Sequence, residues 1–456
     1  MHPALKTTLP VLLLAGASAC AGAAPNADAP LPARQGDIDA IVREISPQRI
    51  QAYVDKLVGF GTRHTMSETE SNTRGIGAAR RWIKAELERC GAGRLDVQFQ
   101  SHLHPVANRI SRPTEIVNVV ATLPGTQAAS RDRYYVVSGH YDSRVTDVMN
   151  STADAPGAND DASGTAAVIE MACVMARHKF DASLVFMTVA AEEQGLYGSG
   201  DYAQKAKAAG MNIAGMLNND IIGSSHDEHG KLDNSEVRLF AEGVPPVKDT
   251  TPELRTLLQT GGENDSITRQ LARHVKETGE RYVPGFKVNI IYRRDRYLRG
   301  GDHSPFLDAG YAAVRFTEPH EDFNHQHQDL RTENGRKIGD LTDYVDPAYV
   351  AQVARVNAAS LASLALAPAA PQDVKVKTAN LDNGTDLVWK ANTEPDLAGY
   401  RVVWRETTAP GWQGAAFVGN VTHHRLDLSK DNLLFGVQAV DKDGNVSPAA
   451  YPLPAR

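Results

Sequence analysis

Six ionisable residues stand at the ends of two strand-like runs and in the loop between them. YYVVSGHYDSR carries His140 and Asp142, APGANDDASG carries Asp160 and Asp161, and LVFMTVAAEEQG ends in Glu192 and Glu193. Imidazoles and carboxylates are the protein ligands of catalytic divalent metals, and this order suits a two-metal hydrolase. Of two adjacent carboxylates, one holds a metal while the other, turned toward bound water, acts as base. Asp142, close behind His140, is placed to lock the imidazole through its second nitrogen, as metal-bound histidines usually require.

The elements that position these groups follow from residue type. Residues 134–138 read as a buried strand of β-branched and aromatic residues, so His140 and Asp142 fall just past its C-terminal end. Gly157 and Gly164 permit a tight loop around Asp160 and Asp161, and residues 162–178 continue as a helix. Residues 183–190 form a second buried strand that ends in acid. An isolated H-x-D is commonly a surface loop and an isolated E-E a solvated helix start. The joint placement at the C-terminal ends of successive strands carries the reading, because ligands bind at that edge of open α/β sheets. The alternation continues with a helix at 199–209, a strand at 213–217 and Asp220 beyond it. This predicts an α/β fold with a mostly parallel central sheet flanked by helices.

GHYDS, APGANDDASG, AAEEQGLYGS, LNND and FNHQHQD resemble the zinc-dependent aminopeptidases of metallopeptidase family 28, which includes glutamate carboxypeptidases and resembles glutaminyl cyclases. The resemblance covers residues 45–365 and implies a zinc-exopeptidase-like fold with two zinc ions per chain. By position, Asp160 would bridge them, His140 and Asp220 would complete the first site, and Glu193 with a late histidine the second. Glu192 matches the catalytic base, Asp142 the acid that orients His140, and Asp161 the residue after an unusual cis peptide. In the family the last ligand is a histidine with an acid four residues later. His325 has Asp329 there, whereas His327 has Arg331 and His320 has Asn324, so His325 is the expected ligand. In an extended loop His325 and His327 would point the same way. RRDRYLRGGDHSPF matches a segment that helps form the family's substrate pocket. Tyr297, Arg296 or Arg299 then steadies a tetrahedral intermediate or a substrate carboxylate, or else the arginines form a solvated rim.

The chain has 456 residues, 42% of them hydrophobic, and a formal net charge of −7. That length predicts two domains, and the charge without basic runs argues against a nucleic-acid partner. Residues 1–23 have the layout of a secretory signal peptide, with cleavage after Ala19 or Ala23. ASAC also resembles a lipoprotein box, which would anchor Cys20 to lipid. A secreted or periplasmic location follows, and residues 24–36 read as a disordered leader. Cys90 and Cys173 could pair there, but Cys173 in its helix reads more as a small core residue. His64 in GFGTRHT has no acid partner and reads as structural or substrate-proximal. Residues 223–250 read as polar and turn-rich, with His226 and His229 in an exposed loop.

Residues 37–367 are assigned to the peptidase domain and 368–371 to a linker. Residues 372–456 alternate in short strands that suit a small all-β sandwich resembling a fibronectin type III module, with Trp389 as core tryptophan, so the second domain spans 368–456. It has no catalytic cluster and reads as a stabilising or binding appendage for an unknown surface or polymer. The leading functional expectation is a secreted dizinc aminopeptidase acting on peptides. A carboxypeptidase or dipeptidase of the same family is the second reading. A catalytically inactive receptor-like binder is the third, and such a protein would be expected to have lost ligands or base.

Overall fold

The computed structural model describes residues 35–246 and 251–455. The expected signal peptide, Cys20 and nearly all of the leader lie outside the described residues. An eight-stranded sheet forms the centre, built from β1 (Asp96–His104), β2 (Thr114–Leu123), β3 (Arg133–His140), β4 (Ser183–Val189), β5 (Asn212–Asn219), β6 (Glu236–Ala241), β7 (Lys287–Ile291) and β8 (Ala313–Thr317). Their order is β1-β2-β4-β3-β5-β8-β6-β7.

Strands β4, β3, β5 and β8 run parallel, as the βαβ pattern predicts. Toward the edges the sheet is mixed: β6 pairs parallel with β7, but β1 pairs antiparallel with β2, β2 with β4, and β6 with β8. The chain turns back between His104 and Thr114 without a helix, and so short a connection cannot make a parallel crossover. β6 lies in the stretch read as polar loop. Its signal is short, Val237 and Leu239 alternating with Glu236 and Arg238, and the pairing with β7 and β8 makes it a strand.

Every residue of β4 is buried, and so is every residue of the helix Gly164–Met175 that leads away from Asp160 and Asp161. That helix packs against the sheet, against Gly75–Gly91, and against Pro347–Leu366, whose alanines permit close approach. Cys90 and Cys173 are joined in a disulfide between two of these helices, so of the two readings the pairing holds, with Cys173 buried in the core as well. Both reside on helix faces turned toward each other, a juxtaposition that helical periodicity alone does not disclose. Among the described residues no helix is long and apolar enough to cross a membrane.

The C-terminal strands form two smaller sheets. Gln372–Lys377, Thr385–Lys390, His423–Leu426 and Leu453–Ala455 make one; Leu397–Glu406, Gly414–Gly419 and Leu433–Asp441 make the other. Trp389, Tyr400, Val402 and Phe435 are buried together between them. Hydrogen bonds fasten the chain at this junction: Arg133 donates to the Ala367 carbonyl at 2.6 Å, and Ala369 N, within the expected linker, donates to Glu394 at 2.6 Å. Asp265, fully buried, binds Arg273 at 2.8 Å from its own side and Arg405 at 2.7 Å from the C-terminal side.

Candidate metal centre

The parallel strands deliver their C-terminal ends to one edge, and the ionisable residues gather there. His140 is the last residue of β3, Glu192 and Glu193 follow β4, and Asp220 follows β5. Asp160 sits in the turn Ala158–Ser163 before the buried helix, and the Asp160–Asp161 peptide is cis. Asp161 does not face the cluster. Its carboxylate accepts from the backbone nitrogens of His140, Gly164 and Ile221 at 3.0, 2.9 and 3.3 Å, tying the turn to β3 and β5. Asp142 does similar work, accepting from the backbone nitrogens of Glu192 and Glu193 at 3.3 and 3.2 Å.

Two ligand groups share Asp160. In one, His140, Asp160 and Asp220 bring ligand atoms within 4.8 Å of one another; in the other, Asp160, Glu193 and His327 do so. His140 Nε2 lies 3.0 Å from Asp160 and 3.8 Å from Asp220. His327 Nε2 lies 2.8 Å from Asp160 and 2.9 Å from Glu193. Buried His140 Nε2 and Glu193 Oε1 nonetheless have no hydrogen-bond partner, so these atoms border a common space rather than bonding pairwise. Such orphaned atoms are costly unless something else satisfies them, and a divalent cation would. The donor set, nitrogen and carboxylate oxygen only, fits zinc.

His140 Nδ1 is 3.2 Å from the carbonyl oxygen of Asp142 and 3.6 Å from its carboxylate. A proton on Nδ1 leaves the Nε2 lone pair for a metal. The second group differs. Arg144 Nη2 lies 2.7 Å from His327 Nδ1, and a guanidinium can only donate. A metal on His327 Nε2 would leave the ring proton on Nδ1, so binding there requires Arg144 to release Nδ1.

The structure corrects the choice between the two histidines. His325 stays outside both groups, its ring stacked on Tyr344 at 3.5 Å, Nδ1 3.2 Å from the Gly339 carbonyl and Nε2 3.2 Å from Asp322. His327 has a left-handed φ of 57°, so the loop is not extended and the two rings diverge. His64 is buried and hydrogen-bonded to the Val148 carbonyl at 2.9 Å. His320 lies 3.5 Å from Asp233, away from the cluster.

Glu192 belongs to neither ligand group, yet it lines the same cleft of about 620 Å³ as Asp160, Glu193, Asp220 and His327. Burial, with His140 opposing and Asp220 and Glu193 adding repulsion, pushes its pKa well above the carboxylate range. Asp302, fully buried in GGDHSPF, is pushed up to about 7, first by burial. Residue-by-residue reading missed three supporting groups. Arg315 Nη2 holds Asp220 at 3.0 Å while Nη1 holds Asp295, and Gln326 donates to Asp160 at 3.0 Å. Asp340 accepts from the backbone nitrogens of Asn159 and Asp160, both at 2.8 Å. The available signal was Arg315 itself, a charge inside the otherwise apolar run AAVRFT.

An α/β sheet with paired imidazole–carboxylate groups on one shared aspartate defines a metallohydrolase type of centre. Residues 118–346 match Peptidase family M28. The "Probable zinc metalloprotease" of Leptosphaeria maculans is 51% identical over 426 residues, covering 93% of this chain and 98% of its own length. A protein of the same description from Pyricularia oryzae is also 51% identical over 426 residues, 92% of this chain and 84% of its own. The chain belongs to peptidase family M28. Among solved structures it resembles in fold the LapA aminopeptidase of Legionella pneumophila, at 18% identity and TM-score 0.51, covering 74% of this chain and 78% of that one. An aminopeptidase from Aneurinibacillus sp. strain AM-1 gives 15% identity and TM-score 0.50 over 71% and 95%.

Proposed function

We propose that the chain is a secreted zinc aminopeptidase that releases the first residue of peptides. The observation that carries the reading is Asp160 shared by two ligand groups with Glu192 beside them in one cleft. His140 and Asp220 would hold one zinc, Glu193 and His327 a second, with Asp160 common to both. The zinc named in its relatives and the aminopeptidases among its fold neighbours support this. Bound zinc supplies Lewis acidity, polarising the scissile carbonyl and acidifying water.

The remaining work falls to the chain. Glu192, free of any ligand group, takes a proton from the attacking water and passes it to the departing amine nitrogen. Asp142 and the Asp142 carbonyl orient His140, and Arg315 holds Asp220. The signal-like residues 1–23 and the Cys90–Cys173 disulfide support an oxidising, extracytoplasmic location. The two C-terminal sheets support a fibronectin type III-like sandwich acting as an appendage.

A carboxypeptidase or dipeptidase is the second reading, favoured by Arg109, Arg144, Arg296 and Arg299 lining the same cleft. The test is a panel of free-amine and N-blocked peptides assayed with zinc and with chelator. Zinc-dependent cleavage of free-amine substrates alone is expected, and cleavage of blocked peptides would replace the aminopeptidase reading with the second one.

A further inference from the structure

Three guanidiniums share one carboxylate beside the cleft, on the wall of a neighbouring cavity. Arg296 Nη1 and Arg299 Nη1 lie 2.8 and 3.2 Å from Glu321 Oε2, and Arg238 Nη2 lies 3.1 Å from Glu321 Oε1. Two of the three are engaged elsewhere as well: Arg238 Nε donates to the Glu318 carbonyl at 2.7 Å, and Arg296 Nε to Asp295 at 3.0 Å. Asp295 is itself shared with Arg315, so it cannot neutralise Arg296 alone. Glu321 is the only carboxylate within ion-pair distance of Arg238 and Arg299 among the described residues, although Asp227 and Glu228 border the same cavity.

Arg299 is the uncommitted member. Its one side-chain hydrogen bond among the described residues is to Glu321, and its side chain is 36% exposed. An arginine has five N–H donors in a planar fork that matches a carboxylate, so most of this fork remains for a ligand. Arg296, Arg299 and Phe323 line both the catalytic cleft and a further cavity of about 460 Å³ that Tyr297 and His320 also border. Elsewhere the cleft presents Asp160, Glu192, Glu193 and Asp220, which favour a free amine, and Arg109 and Arg144, which are already engaged by Glu193 and His327.

We infer that Arg299 is a specificity-determining residue that receives the carboxylate of a short peptide substrate, so the enzyme prefers peptides bearing negative charge beyond the scissile bond. The inference rests on the peptidase reading. The carboxylate comes from the peptide's C-terminus or from an acidic side chain, and the substrates below separate these sources.

The experiment compares kcat/KM for Leu-Ala, Leu-Glu-amide and Leu-Ala-amide in the zinc-loaded full chain. At least one carboxylate-bearing peptide is expected to exceed Leu-Ala-amide roughly tenfold, the scale of one charge-assisted bond at a partly exposed site. Preference for Leu-Ala assigns the C-terminal carboxylate, and preference for Leu-Glu-amide the side chain. Arg299→Ala is expected to bring the ratio near one, and Arg299→Glu to favour Leu-Lys-amide. A wild-type ratio near one, or a ratio that neither substitution moves, overturns the inference while leaving the peptidase reading intact. If no peptide is cleaved, the peptidase reading fails and calorimetry with glutarate decides the site. Binding weakened roughly tenfold by Arg299→Glu upholds it, and glutarate binding that is absent or unchanged overturns it.

Discussion

His327 Nε2 lies 2.8 Å from Asp160 Oδ2, whereas His325, two positions earlier in the chain, is turned away onto Tyr344. The His327 ring, not the His325 ring, thus faces the shared aspartate, in a loop where His327 itself takes a left-handed φ. His327→Ala should lose about one zinc per chain and nearly all turnover, while His325→Ala should keep both. Elemental analysis beside a peptide assay checks this; loss of metal in the His325 variant alone would reverse the assignment.

The adjacent acids should divide their roles. Glu193 is buried within a ligand group, and Glu192 lines the cleft outside both. Glu192→Gln is expected to retain the full metal content and to lose roughly 10²–10⁴-fold in kcat, the usual share of general base catalysis. Glu193→Gln should instead release metal. Zinc content measured after dialysis distinguishes them, and the opposite pattern would exchange the roles.

The C-terminal sheets should stabilise the catalytic part rather than hang from it. Arg405 and Asp265 are both almost wholly buried and 2.7 Å apart, and Arg273 shares the same carboxylate. Arg405→Ala leaves Asp265 half-compensated, and a broken buried pair costs roughly 3–5 kcal/mol, with the remaining arginine placing this one toward the lower figure. Chemical denaturation should show the midpoint falling. An unchanged midpoint, or equal stability in a chain ending at Ala367, would mean that the contact contributes nothing.

Acid at the same boundary predicts a pH dependence. Burial, then repulsion from Asp396 and Asp441, raises the Asp181 pKa to about 6. The unfolded chain ionises Asp181 near 3.9, so the folded state binds the extra proton and stability from this group is lost as pH climbs from about 4 through 6. Asp181→Asn should be more stable than wild type at pH 8, by about 1 kcal/mol once solvent screening of a half-exposed group is allowed for. At pH 4 the two should coincide. Denaturation at the two pH values tests the sign, and a larger gain at pH 4 would contradict it.

The sequence disclosed those parts of the centre that lie at strand ends. His140, Glu192, Glu193 and Asp220 follow buried apolar runs, and Asp160 is bracketed by glycines, so residue type alone located them. His327 was illegible because the choice depends on φ at one residue, held by a turn from Asp322 and by contacts with Gly339. β6 was illegible because its alternation spans only a few residues and gains its meaning from β7 and β8. The Arg405–Asp265 pair joins residues 140 positions apart, and nothing local in either segment announces the other. Likewise Arg315 went unread although it is a charge in an apolar strand, because its partners Asp220 and Asp295 come from separate loops.

Two metal ions are expected to share Asp160. Crystals grown with zinc and measured on either side of the zinc absorption edge would reveal them. Two anomalous peaks are expected on either side of the Asp160 carboxylate, one against His140 and Asp220, the other against Glu193 and His327, with Arg144 withdrawn from His327 Nδ1. A single peak at full zinc loading, or a second peak against His325, would contradict that arrangement.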